Sequence, residues 1–230
     1  MAQALFHKTL KFLTHHNVKD QTVIVGVSGG VDSMALLGVL SELSSSCRLS
    51  LLAMYVHHGF SSDQKIKSYR DQAKVLLKEV CASWSIPFIS SPPPKKNLKT
   101  EEEFRTLRRA CLKEFLEEKQ AHWIALGHNS GDVLETRLLH LIRGCGEKGL
   151  ICSPVDSPWL RPFVSVSREE LVDYVKSRNI KWLEDPSNPQ ERFFRNWLRQ
   201  NWLPALEKQR PGSRDTLARS FSRIAEALEK

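Results

Sequence analysis

Between Ser28 and Ser33 the chain sets two hydroxyls, two glycines and a carboxylate in six consecutive positions, Ser28-Gly29-Gly30-Val31-Asp32-Ser33. Those residue types at that spacing suit a polyphosphate. Glycines let the backbone approach an anion closely, and the unpaired N–H groups of a following helical turn point at it. Ser28 and Ser33 add hydroxyl donors. Asp32 makes sense beside phosphate only with a metal ion between them. No lysine follows Gly30, as a Walker A loop requires, and the glycine spacing is not G-x-G-x-x-G. An ordinary βα turn, in which Gly and Ser are common, is the plain alternative.

A second set of candidate groups lies in Gly127-His128-Asn129-Ser130-Gly131-Asp132-Val133-Leu134-Glu135-Thr136. Asp132 and Glu135 are three residues apart and share a helical face. Carboxylates at a helix N-terminus are favoured by the dipole alone; the functional reading is that they hold Mg²⁺ against a triphosphate or position a nucleophile. Further on, Arg195 and Arg199 stand one helical turn apart and can present two guanidinium groups to one phosphate-rich ligand.

These groups need a scaffold, and the apolar pattern supplies one. Thr22–Val27 reads as a buried strand, and Val31–Leu43 as the helix after the glycine turn. Leu49–Val56, Ile86–Ser90 and His122–Gly127 read as further strands, with helices near 62–84 and 100–119 between them. Thr100…Glu103 and Ser167…Glu170 fit the capping box and mark two helix starts. This order predicts an α/β fold: a parallel twisted sheet with helices on both faces and ligands at the carboxyl ends of the strands. Past Pro154 the pattern gives way to short helices with Pro-rich joints and a basic C-terminal helix, a small helical extension.

Bulk properties narrow the classes. Apolar residues make up 41% and charged residues 26%, ordinary globular values. No run of about eighteen apolar residues occurs, and the N-terminus lacks a signal-peptide core, so a cytoplasmic location and no membrane partner are expected. The five cysteines are scattered without a C-x-x-C pair, which argues against a disulfide framework, a zinc ribbon or an iron–sulfur site. Formal net charge is +8, and between Arg192 and Arg223 eight basic residues face two acidic ones. Phe193, Phe194, Trp197, Trp202 and Phe221 are interleaved with them. Such a segment can attract phosphates and stack on unpaired bases, or it can be a solvated helix face whose aromatics are core.

Taken in order, the motifs resemble one family. The loop at 28–33 is similar to the PP-loop of ATP pyrophosphatases. With His58-Gly59, Glu101…Arg105…Arg108, the Gly-His…Asp132…Glu135-Thr136 block, Arg143-Gly-x-Gly, Arg161-Pro162, Asp185-x-Ser187-Asn188 and Arg195-Asn196-x-x-Arg199, the chain resembles the tRNA(Ile)-lysidine synthases over about residues 20–206. The resemblance implies a PP-loop ATPase fold of the adenine-nucleotide α-hydrolase type. It implies ATP as co-substrate, Mg²⁺, free lysine, and an isoleucine tRNA with a CAU anticodon whose wobble cytidine is adenylated and then joined to lysine. Ser28, Gly29, Gly30, Val31, Asp32 and Ser33 would bind ATP. Asp32, Asp132, Glu135 and Arg195 would be catalytic, Asp132 and Glu135 would hold the metal, and Arg108 and Arg199 would meet the tRNA. A homodimer stays open. Residues 1–206 would form the catalytic domain, including a helical subregion over 154–206, with a basic helix at 207–230.

The chain departs from the family pattern at Asn129, Gly131 and Val133, and at Phe60-Ser61 and Arg109. Rival readings are a tRNA thiolase of the same superfamily, which the missing cysteine pairs disfavour, and an inert RNA-binding protein on the same scaffold.

Overall fold

The computed structural model describes residues 2–59, 63–95, 98, 100–186 and 194–228. Strand β1 (Thr22–Val27) lies inside the sheet, because its β-branched run sends side chains to two apolar faces at once. Helix α1 (Ala2–His15) precedes it, and α2 (Val31–Cys47), β2 (Ser50–Tyr55), α3 (Gln64–Ser83) and β3 (Phe88–Ser90) follow. Next come α4 (Glu101–Glu118), β4 (Trp123–Ala125), α5 (Ser130–Ile142), the short strands β5 (Val155–Asp156) and β6 (Trp159–Leu160), and α6 (Arg168–Ser177). The last part is α7 (Phe194–Trp197), a π-helical turn (Leu198–Trp202), α8 (Leu203–Gln209) and α9 (Ser213–Leu228).

The strand order is β3-β2-β1-β4-β6-β5, parallel throughout except for β5 against β6. From β1 the chain builds outward to β2 and β3 and then returns to place β4 on the other side. That reversal opens a crevice beyond the carboxyl ends of β1 and β4, where such sheets bind ligands. Val23, Val25 and Val27 pack with α2 and with Ala73, Leu77 and Cys81 of α3. On the opposite face Ile24, Met54, Ile124 and Trp159 pack against Leu112 and Phe115 of α4. A third cluster joins Leu134, Leu138 and Leu139 of α5 to Leu198, Leu203 and Phe221, so the C-terminal helices are fastened to α5.

The expected strands all form, trimmed at their ends, and both capping boxes are present. The expected run of helices past Pro154 needs correction. It begins with the β5–β6 hairpin, and β6 extends the sheet beside β4. The basic segment at 207–230 is not one helix. Gly212, with φ +82°, separates α8 from α9, and the expected boundary between 206 and 207 falls inside α8.

Candidate active site

The 28–33 loop is organised around one hydroxyl. Ser33 Oγ accepts the Ser28 N–H at 3.1 Å and donates to the Gly30 carbonyl at 2.9 Å, which closes the turn. Gly29 has φ +84°, which favours glycine, and a β carbon there would sit a tight 3.1 Å from the Ala73 Cβ of α3. Two contacts hold the loop from outside: Leu183 N–H donates to the Gly29 carbonyl at 2.9 Å, and the Tyr69 hydroxyl donates to the Ser28 carbonyl at 3.3 Å. Gly30 occupies the N-cap position of α2 and brings no side chain to cap it. The first-turn N–H groups therefore face the loop as anion donors.

The second loop is pressed onto the first. A β carbon on Gly127 would lie 2.8 Å from the Asp32 carbonyl oxygen. Only glycine lets these backbones meet. Asn129 then starts α5 with a capping box: its Oδ1 accepts the Asp132 N–H at 3.1 Å, and Asp132 Oδ2 accepts the Asn129 N–H at 3.0 Å. One oxygen of Asp132 thus serves the helix, and the other faces Arg199 Nη2 at 2.8 Å.

Arg199 joins the two carboxylates. Its Nε and Nη2 donate to the two oxygens of Glu135 at 2.6 and 2.7 Å, while Nη2 also reaches Asp132. Arg195 stands alongside, with Nε 3.6 Å from Glu135, Nη2 donating to Thr136 Oγ1 at 2.5 Å and Nη1 to Glu101 at 2.7 Å. Thr136 in turn donates to the Asp132 carbonyl at 2.7 Å. A local helix defect places Arg199. Pro204 has no N–H for the turn before it, and Leu203 N–H donates five residues back to Leu198, widening the helix where Arg199 sits.

Burial sets the electrostatics. It pushes the Glu135 carboxyl above its ordinary value, and the two short Arg199 bonds oppose that rise without cancelling it. Burial works against the Arg199 charge, and the bonds to Glu135 and the pull of Asp132 outweigh it, leaving its pKa above the ordinary value. Burial also raises Asp32, against the pull of Arg168, whose Nη1 is 3.3 Å from Asp32 Oδ2. Asp32 Oδ1 is buried and has no hydrogen-bond partner among the described residues, as do Arg108 Nε and His128 Nδ1. Burial and the Arg108 guanidinium drive His58 down to about 4. Burial likewise takes His128 to about 4, with Asp132 opposing and Arg108, Arg161 and Arg195 adding to the fall.

The structure gathers every sequence-predicted site residue around the crevice. Ser28–Ser33 line one wall, and Asp132, Glu135, Arg195 and Arg199 interlock on the other. Arg108, from α4, faces Asp132 and Arg195. Thr136 belongs to the Asp132…Glu135-Thr136 block of the sequence without a role of its own, and here it bridges Arg195 and the Asp132 carbonyl. Arg168 lies in the Ser167…Glu170 capping string, which marks a helix start and carries no sign of a contact with Asp32, 136 residues away. Ser187 and Asn188 of the expected motif, and Phe60 and Ser61, lie outside the described residues. Of the interleaved aromatics, Phe221 is core, whereas Phe194 and Trp197 are exposed and stacked, with centroids 5.5 Å apart and planes 11° off parallel. Phe193 is outside the described residues.

No group of three or more His, Cys, Asp or Glu is arranged around a metal position among the described residues. Mg²⁺ does not need one, since it commonly takes one or two carboxylates and completes its shell with phosphate oxygens and water. The unpartnered Asp32 Oδ1 beside a phosphate loop fits that donor set. Glu135, with both oxygens on arginine, fits it only after releasing Arg199.

The PP-loop domain family matches residues 1–206. The tRNA(Ile)-lysidine synthase of Bdellovibrio bacteriovorus is 37% identical over 99% of this chain and 70% of its own length. Those of Nitrosomonas europaea and Bacillus cereus are 31% and 34% identical, each over 92% of this chain. The chain spans 48% and 46% of those two proteins, about half their length. Among solved structures, the U34-tRNA thiolase NcsA from Methanococcus maripaludis with its 4Fe-4S cluster aligns with a TM-score of 0.77 over 97% of this chain and 78% of that one. At 20% identity that likeness shows the shared fold.

Proposed function

The chain belongs to the PP-loop family and, within it, to the tRNA(Ile)-lysidine synthases, and from that premise we propose that it joins free lysine to the wobble cytidine of an isoleucine tRNA with a CAU anticodon. The reaction consumes ATP in two steps. The cytidine C2 carbonyl oxygen attacks the α-phosphorus and pyrophosphate leaves; the lysine side-chain amine then attacks C2, and AMP leaves with that oxygen. The amine proton passes to a base or to water.

What this chain's residues do follows from their positions. The first-turn N–H groups of α2, with Ser28 and Ser33, hold the β- and γ-phosphates and keep the leaving pyrophosphate in line. Arg195 and Arg199 bring positive charge to the opposite wall, where negative charge grows as the α-phosphate is attacked. Glu135 and Asp132 fix Arg199 so that little reorganisation accompanies the reaction. Mg²⁺, when bound, would be held by Asp32 and, once its Oδ1 gives up the single Arg199 contact, by Asp132, and would offset charge on the phosphate oxygens. Glu135 has both oxygens on Arg199 and is more deeply buried than Asp132, so we assign it to positioning. The stacked Phe194–Trp197 pair beside these arginines offers a π surface to an unpaired base.

The observation that carries this reading is the approach of the Gly127–Asn129 turn to Asp32, which brings the arginine-bound carboxylates to the edge of the phosphate loop. Sulfur transfer is less well supported: the five cysteines stand singly in the sequence, with no C-x-x-C pair. The test uses purified protein, a CAU isoleucine tRNA transcript, labelled lysine and Mg-ATP. Lysine should enter the tRNA with one AMP released per lysine. RNA binding with no AMP release would sink the proposal and favour an inert binder.

A further inference from the structure

We infer that Arg168, at the first position of α6, is a phosphate-binding residue of the ATP site, paired with Asp32 until the pyrophosphate end of the nucleotide arrives. This rests on the phosphate-loop part of the reading above and not on its tRNA part.

Three observations lead there. First, the guanidinium lies 3.3 Å from Asp32 Oδ2, and Asp32 is in the first turn of α2, so the positive charge reaches the turn that follows the loop. Second, its backbone is fixed from two sides. Ser167 and Glu170 form a reciprocal capping box at 3.2 and 3.0 Å, and the Val166 carbonyl accepts the Ser130 N–H of α5 at 2.9 Å. The arginine is therefore carried on a support bonded to the α5 wall, and α6 also packs against α2, which follows the phosphate loop. Third, the pairing is incomplete. It is a single long contact, Arg168 keeps about half of its side chain exposed at 49%, and the second Asp32 oxygen stays buried without a partner.

Such a contact contributes little to folding, because half-exposed ion pairs are screened and lose side-chain entropy. Two other arginines of the site are committed elsewhere, Arg199 to Glu135 and Asp132 and Arg195 to Glu101 and Thr136, and Arg108 is buried beside Asp132 and Arg195. Arg168 has donors left over beside Asp32, a residue of the loop motif. A planar guanidinium with free N–H groups matches phosphate oxygens better than it matches one distant carboxylate oxygen. When pyrophosphate occupies the loop, Arg168 donates to its oxygens and Asp32 is released to other partners.

The test is calorimetric titration of the full chain with magnesium pyrophosphate and, separately, with AMP, without tRNA. Arg168→Ala should weaken pyrophosphate binding about tenfold or more, the scale of a lost charge-assisted bond. AMP binding should stay within about twofold, since AMP lacks the pyrophosphate group. Arg168→Lys should recover part of the loss, and the thermal midpoint of Arg168→Ala should match the wild type. Equal pyrophosphate affinity in wild type and Arg168→Ala overturns the inference. So does an equal loss for AMP, which would mean a collapsed loop, or a wild type that binds neither. If the pyrophosphate result holds but no lysidine forms, Arg168 keeps its role and the substrate reading falls alone.

Discussion

Glu135 puts one carboxylate, only 3% exposed, between two guanidiniums, and that placement decides what the residue can do. A carboxylate this buried, with both oxygens held by one guanidinium, is a poor metal ligand and a good anchor. Its service is to hold Arg199 where a growing phosphate charge will be. Glu135→Gln keeps the shape, removes the charge and turns one acceptor into a donor facing Arg199. Breaking a buried pair from one side is costly, but Arg199 keeps 39% of its side chain exposed, so a stability loss of about 1–3 kcal/mol is expected and not more. Turnover should fall roughly a hundredfold, the typical effect of disturbing one preorganised charge donor. The Mg²⁺ concentration for half-maximal rate should stay within about twofold of wild type. A rise of tenfold or more in that requirement would return Glu135 to the metal site.

At the scale of elements, the site exists because two strand-to-helix turns touch. Gly127→Ala tests that contact directly, since its β carbon would stand 2.8 Å from the Asp32 carbonyl oxygen and 3.0 Å from its carbon. Backbone cannot step aside as a flexible side chain can. The turns must separate, at a cost of about 1–3 kcal/mol in the urea unfolding free energy, with a parallel loss of affinity for a non-hydrolysable ATP analogue. Gly146→Ala is the control, because nothing lies within 4 Å of the added carbon, and it should change neither quantity by much. A Gly127→Ala protein as stable and as tight-binding as wild type would mean the turns are not coupled. The same elements show where sequence is informative. β1 and α2 are legible because an apolar run, a glycine turn and a helix start are local signals. So are the two capping boxes. β6 is not, since Trp159 and Leu160 are too short a strand to carry a period, and only pairing with β4 makes them one. The acidic pair was legible as a shared helix face, but its partners were not: Arg199 lies 64 residues from Glu135, and a wide π turn aims it there. Local pattern says what an element is, and tertiary packing says what its side chains meet.

For the molecule as a whole, the crevice concentrates positive charge that folding must tolerate, and two histidines show how. His58 follows β2 and faces Arg108, Arg70, Asp185 and His57; His128 follows β4 and faces Asp132, Arg108, Arg161 and Arg195. Burial first, and the arginines in addition, hold each at about 4 in the native state. The unfolded chain releases its histidine protons near 6.5. Between those values the unfolded state binds more protons than the native one, so stability rises with pH through this window. The contribution is fully present above about pH 6.5 and is lost as pH falls toward 4, on the order of 3 kcal/mol for each histidine. Asp32 and Glu135, raised by burial, act in the opposite sense, so the wild-type curve is a sum of both. Differences isolate the imidazoles. Urea midpoints measured from pH 7.5 to 4.5 should fall less steeply for His58→Gln and for His128→Gln than for wild type, each variant removing part of the slope. Curves that stay parallel to wild type would show that these rings take up protons in the native state as readily as in the unfolded one. Neutral imidazoles at working pH then have a simple consequence. Beside a phosphate loop in a chain of net charge +8, they supply polar contacts without adding to the repulsion among Arg108, Arg161 and Arg195.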